Sequence, residues 1–397
     1  MKPSILQRCA QAATGALCAW LLAGCVVVIP QRPRPAPTVQ ADVVLATERG
    51  MRSIVFDARA GYLSLSNTAF GGTQVMRTNA VVNRASVWSA VDLEACALGP
   101  ARDGAPLRAP ALTRLDGKIY LFQSTSGSAK EHSLCQLERA MEWFAPRDQG
   151  LRLCAGLNCE RLSMTDLQSW RGQLVSNAGA GLNVLASADD GRNWRALLGS
   201  VENDACTHSA FRSVGQRLLV GGECPLDTAF LRAYQLAADG VSLASSEPLA
   251  LALPTLDSRN VQFIRPVGAV VFAGVEGGLL RSTDGARSFA FVIRHPAEGP
   301  SNPYITGLLA LRGRPHVVLA AGFDKVTGKA YLAVSRDAGE RWTDVSDSLP
   351  GFDRAPLEGA AQVTSLIQDP LGRILLTLNL NQESQGRLVL LTLGGVD

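Results

Sequence analysis

Ser187-Ala188-Asp189-Asp190-Gly191-Arg192-Asn193-Trp194 and Ser335-Arg336-Asp337-Ala338-Gly339-Glu340-Arg341-Trp342 share the pattern S-x-D-x-G-x-x-W without a mismatch. A third copy, beginning at Ser282 and Asp284, keeps the spacing but has Ala286 at the glycine position and Phe289 at the tryptophan position. Self-similarity at fixed spacing marks a chain built from repeated structural units. The residue types inside each octapeptide predict a turn. An Asp two residues after Ser can accept bonds from the turn's own N–H groups, Gly takes a positive φ, and the aromatic residue packs between strands. On this reading Asp189, Asp284 and Asp337 are fold residues and not catalytic acids.

A second repeat covers most of the chain. A short apolar run, a turn with glycine and a β-rich run recur seven times: 53–65, 111–122, 166–175, 209–220, 261–272, 307–319 and 365–376. The turns centre on Gly61, Gly117, Gly172, Gly215, Gly268, Gly313 and Gly372, spaced 56, 55, 43, 53, 45 and 59 residues apart. Each reads as a β-hairpin. Six are followed by a third run and then an octapeptide or a decayed version of one, at Trp88, Trp143, Trp194, Ala238-Asp239-Gly240, Phe289 and Trp342. The seventh unit has only three strands, and DVVLAT (42–47) can supply the fourth. Such closure by the N-terminus removes open sheet edges.

The octapeptides resemble the Asp-box, or BNR repeat, of sialidases and of several non-enzymatic propellers, photosystem II assembly factors among them. The resemblance implies an all-β chain folded as a β-propeller. The hairpin count sets it at seven four-stranded blades, with six or eight as the alternatives. It also implies two unlike rims. The boxes and first hairpin turns share one, and the blade-to-blade loops share the other with the second hairpin loops.

The ends and the composition bound the context. Lys2 and Arg8 precede an apolar stretch, Ala10 to Leu22, and Leu22-Ala23-Gly24-Cys25 fits a bacterial lipobox. Residues 1–24 are therefore expected to be a lipoprotein signal peptide, with Cys25 lipidated and residues 25–41 a Pro-rich tether. The propeller is expected over 42–397. No Asp follows Cys25 to signal inner-membrane retention, so the expectation is an outer-membrane lipoprotein facing the periplasm or the surface. About 355 residues remain, which suits a propeller that grows blade by blade. With 47% hydrophobic and 18% charged residues over the full sequence a compact body is expected, and removing Lys2 and Arg8 leaves a formal charge near +1. That near-neutrality gives no case for nucleic acid.

Six cysteines follow Cys25: Cys96, Cys135, Cys154, Cys159, Cys206 and Cys224. In an exported chain they are disulfide candidates, although six cysteines allow 15 pairings. Cys206 and Cys224 flank a hairpin almost symmetrically about Gly215, and Cys154 with Cys159 would close a small loop. Cys96, Cys154, Cys159 and Cys206 fall in the long segments 93–108, 146–162, 199–208, 245–259, 294–304 and 345–361 assigned to the rim opposite the boxes, and Cys135 and Cys224 are expected on the same rim. Neither CxxC pairs nor histidine spacing supports zinc, and the four histidines, His132, His208, His295 and His316, share no pattern; no metal or cofactor is expected. Arg114, Arg212 and Arg265 each lie three residues before a pivot glycine, a placement that could line the inner channel near the box rim and bind an anion.

The expected function is partner binding, to a protein or glycan of the cell envelope, through the inter-blade loop face of a monomer held at the membrane by its N-terminal lipid. One alternative is a sialidase-like exo-glycoside hydrolase. Sialidases combine the box with a Phe-Arg-Ile-Pro segment in the first blade, where this chain reads MRSIVFD, and with a Tyr nucleophile, for which Tyr304 is the one candidate. A purely structural envelope protein is the other alternative.

Overall fold

The protein is represented by a computed structural model that describes residues 35–65, 74–93, 111–122, 134–137, 143–144, 152–155, 158–161, 164–178, 183–198, 206–224, 228–240, 242–256, 259–296, 299–350, 361–380 and 385–395. They form seven four-stranded antiparallel sheets, the blades of a propeller. Blade 1 runs from Met51–Phe56 to Ser89–Ala90, blade 2 from Ala111–Leu115 to Trp143–Phe144 and blade 3 from Met164–Trp170 to Arg195–Leu198. Blade 4 spans Thr207–Val214 to Leu243–Leu249, blade 5 Val261–Val267 to Ala290–Arg294, and blade 6 Pro303–Leu311 to Thr343–Asp344. Blade 7 takes three strands from the C-terminal end, Gln362–Gln368, Ile374–Leu380 and Gln385–Gly394, and its outer strand, Thr38–Thr47, from the N-terminal end.

That closing strand begins at Thr38 where the sequence placed it at Asp42, so the last residues of the expected tether are β-structure. Val39, Ala41 and Val43 alternate onto the core between blades 6 and 7. A register shift between Val43 and Leu45 then turns Val44 and Leu45 toward the core between blades 7 and 1. A bulge changes the face a strand presents, and here it lets one strand feed two cores.

Six of the seven pivot glycines have positive φ, between 58° at Gly215 and 81° at Gly117 and Gly372. Gly61 does not. It lies inside Ala60–Leu65, and its turn is made instead by Asp57, whose carboxylate accepts from the N–H groups of Arg59 (2.6 Å) and Ala60 (2.7 Å). An Asp that bonds the backbone two and three residues on does the work a glycine does elsewhere.

The described residues form seven apolar clusters, and each joins two neighbouring blades. Tyr62 and Leu121 lie between blades 1 and 2, Tyr120 and Leu185 between 2 and 3, Trp170 and Phe211 between 3 and 4. Ala210 and Val261 lie between 4 and 5, Phe272 and Ile305 between 5 and 6, Leu332 and Leu376 between 6 and 7, Met51 and Leu375 between 7 and 1. Seven interfaces for seven blades is the arithmetic of a closed ring.

The innermost strands have one unpaired edge each, and side chains bridge every junction. Ser53 Oγ accepts from Leu112 N at 2.7 Å, Ser169 Oγ donates to Asp116, and Gln168 Nε2 donates to Phe211 O at 2.7 Å. Ser209 Oγ reaches Val261 O at 2.8 Å and Arg265 Nη1 reaches Leu308 O at 3.1 Å. Thr306 Oγ1 reaches Val363 O at 3.5 Å, and Thr364 Oγ1 closes the circle on Met51 O at 2.6 Å. Each of the seven junctions is thereby tied by at least one side chain of an inner strand or its turn.

Candidate functional site

Each octapeptide joins the third and fourth strands of its blade. Ser187, Ser282 and Ser335 are buried and place Oγ to accept from the N–H of residue 191, 286 or 339 at 2.8, 3.0 and 2.8 Å. The same hydroxyls donate to the carboxylates of Asp189, Asp284 and Asp337 at 2.8, 2.8 and 2.9 Å. Those carboxylates also accept backbone N–H bonds from Asn193, Ser288 and Arg341. Asp189 is held below the usual carboxylate range chiefly by the Asn193 N–H, and Asp284 chiefly by the Ser288 hydroxyl. Burial pushes Asp337 upward, but the Arg341 N–H and Ser335 hydroxyl outweigh it and the net displacement is down. Trp194 and Trp342 donate Nε1 to Gly191 O and Gly339 O at 3.0 and 3.1 Å. In each turn the serine hydroxyl and the aspartate Oδ1 are engaged within the turn itself.

The turn holds two consecutive left-handed residues: Asp190 and Gly191, Gly285 and Ala286, Ala338 and Gly339. The glycine absent at 286 has moved to 285, so the third copy keeps one glycine per left-handed pair. Phe289 retains the packing of the tryptophan without its Nε1–H bond.

The rim carrying these turns is clasped from blade to blade. Lys118 of blade 2 meets Asp190 of blade 3 at 2.7 Å. Arg171 of blade 3 donates to Asp239 O of blade 4 at 3.1 Å, and Arg217 of blade 4 to Ala286 O of blade 5 at 3.3 Å. Arg281 of blade 5 donates to Ala338 O of blade 6 at 3.0 Å, and Arg336 of blade 6 to Gly395 O beyond the third strand of blade 7. The carbonyls of Asp239, Ala286, Ala338 and Gly395 are thus each taken by an arginine from the preceding blade, and the Asp190 carboxylate by Lys118. Sequence reading missed these clasps, though a signal exists in blades 2, 3 and 4: Lys118, Arg171 and Arg217 each stand within two residues of a pivot glycine.

The opposite rim differs. The Cys206–Cys224 disulfide ties the start of blade 4's inner strand to the end of its second strand there. Cys135, at the loop-rim end of blade 2's third strand, is also disulfide-bonded. Cys154 and Cys159 face each other across an added hairpin, Arg152–Ala155 paired with Asn158–Arg161, which belongs to none of the seven blades. Cys25 and Cys96 lie outside the described residues. Of the four exposed large apolar side chains among the described residues, Val326 is on this rim, while Val81, Val87 and Leu371 are on the box rim.

Two chambers of the bore are lined by described residues. One of about 570 Å³ opens among the first residues of the inner strands, on the loop rim; Arg52, Asp166, Asn177, Arg212, Gln262 and Arg265 are among its walls. The other, about 610 Å³, opens on the box rim and takes Arg114, Arg265 and Arg312 into its wall. The three arginines expected together near the box rim are therefore divided: Arg212 belongs to the loop-rim chamber, Arg114 to the box-rim chamber, and Arg265 to both. Protein crowding around Arg212 lowers its pKa to about 10, with Asp166 opposing and Arg265 adding to the effect. Crowding depresses Arg265 as well, again opposed by Asp166. Arg52, Asp166 and Arg312, which the sequence did not single out, sit on the same inner strands or their turns.

Tyr304 begins blade 6, with its ring 4.9 Å from that of Phe323 and Lys325 Nζ 5.5 Å above its centroid. Burial raises its phenol pKa, Glu276 adds to the rise and Lys325 opposes it. A phenol kept protonated is the reverse of what a nucleophile needs, and Tyr304 lines neither chamber described here.

Solved structures show the same architecture at low identity. YCF48 bound to D1 peptide is 14% identical with a TM-score of 0.53, covering 89% of this chain and 94% of that one. YCF48 from Cyanidioschyzon merolae is 13% identical with a TM-score of 0.53, over 88% and 98%. The WD40 β-propeller domain of Doa1 is 8% identical with a TM-score of 0.50, over 88% and 97%. No protein-family model and no curated sequence matches the chain. What these likenesses share is the fold.

Proposed function

We propose that the chain is a lipid-anchored Asp-box propeller of the bacterial envelope that binds a protein or glycan partner through its inter-blade loop rim, without catalysis. The observation that carries the reading is the asymmetry of the two rims. A chamber opens on each rim, but the octapeptide turns spend hydrogen-bonding groups internally and on the clasps, whereas the loop rim bears the disulfides and the added hairpin. Disulfides there lower the entropy of long loops and pre-form a surface for recognition. Loops on a rigid scaffold are where binding residues concentrate. A YCF48 propeller was solved with a peptide bound, which makes protein recognition a use this fold is put to. The lipid anchor and the outer-membrane location rest on Leu22-Ala23-Gly24-Cys25 and the residues that follow.

Crosslinking in intact envelopes, followed by capture of the full chain, tests the reading. A discrete partner is expected. Absence of any crosslinked partner supports the purely structural alternative. The hydrolase alternative predicts turnover of a fluorogenic sialoside or a related glycoside. Turnover that disappears in Tyr304→Phe overturns the non-catalytic reading. Metabolic labelling with an alkynyl fatty acid is expected to mark the wild-type chain and not Cys25→Ser.

A further inference from the structure

The box-rim chamber has a chemistry that the turns around it do not share. Three guanidinium groups enter its wall, from Arg114, Arg265 and Arg312, against one carboxylate, that of Asp57. Asp57 is already committed to its own turn, accepting from the N–H groups of Arg59 and Ala60 and from the Tyr62 hydroxyl at 3.4 Å. Arg265 gives one N–H to Leu308 O, and Arg312 gives its to the carbonyls of Gln368 and Asp369. Carbonyl bonds position a guanidinium without neutralising it, and each group has five donors; Asp166 offsets part of the Arg265 charge from the loop-rim side. Arg114 is exposed in the bore and makes no hydrogen bond or ion pair among the described residues. The loop-rim chamber is not equivalent, because Asp166 stands beside Arg212 and Arg265 there.

Val55, Ala58, Ile367 and Pro370, none of them fully buried, supply apolar surface to the rest of the box-rim wall, and the neighbouring Leu371 is 64% exposed at the lip. A volume of about 610 Å³ is in the range of small-molecule pockets, in which an apolar lining supplies area and a few charged groups fix orientation.

We propose that this chamber is a binding site for a small oxyanion, carboxylate or phosphate, carried on an apolar body, with Arg114, Arg265 and Arg312 as the anion-holding groups. The site lies at the end of the bore opposite the proposed partner surface and is independent of it. Guanidinium binds both oxyanions in the same paired geometry, so carboxylate and phosphate sources share the site.

Calorimetric titration of the full chain with 4-phenylbutyrate, phenyl phosphate and inorganic phosphate tests this. Saturable binding of at least one of the two aromatic anions, tighter than that of inorganic phosphate, is expected. Arg114→Gln, which removes no bond within the described protein, is expected to weaken it about tenfold. Arg114→Lys should recover part of the loss, and Arg212→Gln, in the other chamber, should leave affinity within about twofold. Saturable binding of neither aromatic anion overturns the proposal. So does binding unaffected by Arg114→Gln, or lost equally in Arg212→Gln. Inorganic phosphate binding as tightly as the aromatic anions overturns the apolar body.

Discussion

Gly191 and Ala286 occupy the same place in two turns, and both have positive φ, 86° and 61°. A Cβ at Gly191 would collide with Leu134 Cδ2, whereas Ala286 is fully buried and its Cβ is accommodated. Gly191→Ala is therefore expected to cost about 1–3 kcal/mol from left-handed strain and overpacking combined. Ala286→Gly relieves strain while loosening the unfolded chain, and a gain of at most about 1 kcal/mol is expected. Urea unfolding of the two variants reads both signs. The three box carboxylates make a second prediction. All are depressed, so their contribution is complete above the unfolded value near ~4 and is lost as pH falls through the lower native values. The urea midpoint should fall on acidification below about pH 4. In the triple variant Asp189→Asn, Asp284→Asn, Asp337→Asn it should start lower at neutral pH and change less over that window.

Among elements, the strand Thr38–Thr47 matters beyond its length, because it caps blade 7 and feeds two of the seven inter-blade cores. Deleting residues 37–47 is expected to expose the edge of Gln385–Gly394 and produce an aggregating chain, read by light scattering. The clasps should separate by burial. Arg281, 15% exposed at its side chain, is expected to lose about 1–2 kcal/mol as Arg281→Gln. Lys118→Gln should cost no more than about 0.5 kcal/mol, because the Lys118–Asp190 pair is open to water. Much of this level was legible in the chain. Six of the pivot glycines announced their hairpins because only glycine takes left-handed backbone without penalty, and the blade count followed from them. Gly61 misled because a carboxylate, Asp57, made that turn. The start of the closing strand was hidden by Pro35 and Pro37, and the added hairpin by its length within a segment read as loop.

At the scale of the molecule the two rims differ: the octapeptide turns and their clasps lie on one, the Cys206–Cys224 disulfide and the added hairpin on the other. The sequence located the octapeptide turns, since fixed spacing reports local turns faithfully. It did not place the bore residues correctly, because whether Arg212 or Arg114 faces one chamber or the other depends on the depth of each inner strand in the ring. Arg52, Asp166 and Arg312 carry no local pattern at all; only ring closure brings them together. The division between rims is also the claim most open to direct contradiction. A photo-crosslinking amino acid placed at exposed loop-rim positions Thr228 and Val326, and in parallel at exposed box-rim positions Arg192 and Arg341, reads it in intact envelopes. The account predicts one discrete macromolecular adduct from Thr228 or Val326 and none from Arg192 or Arg341. The same adduct arising from the box rim, with none from the loop rim, would contradict it.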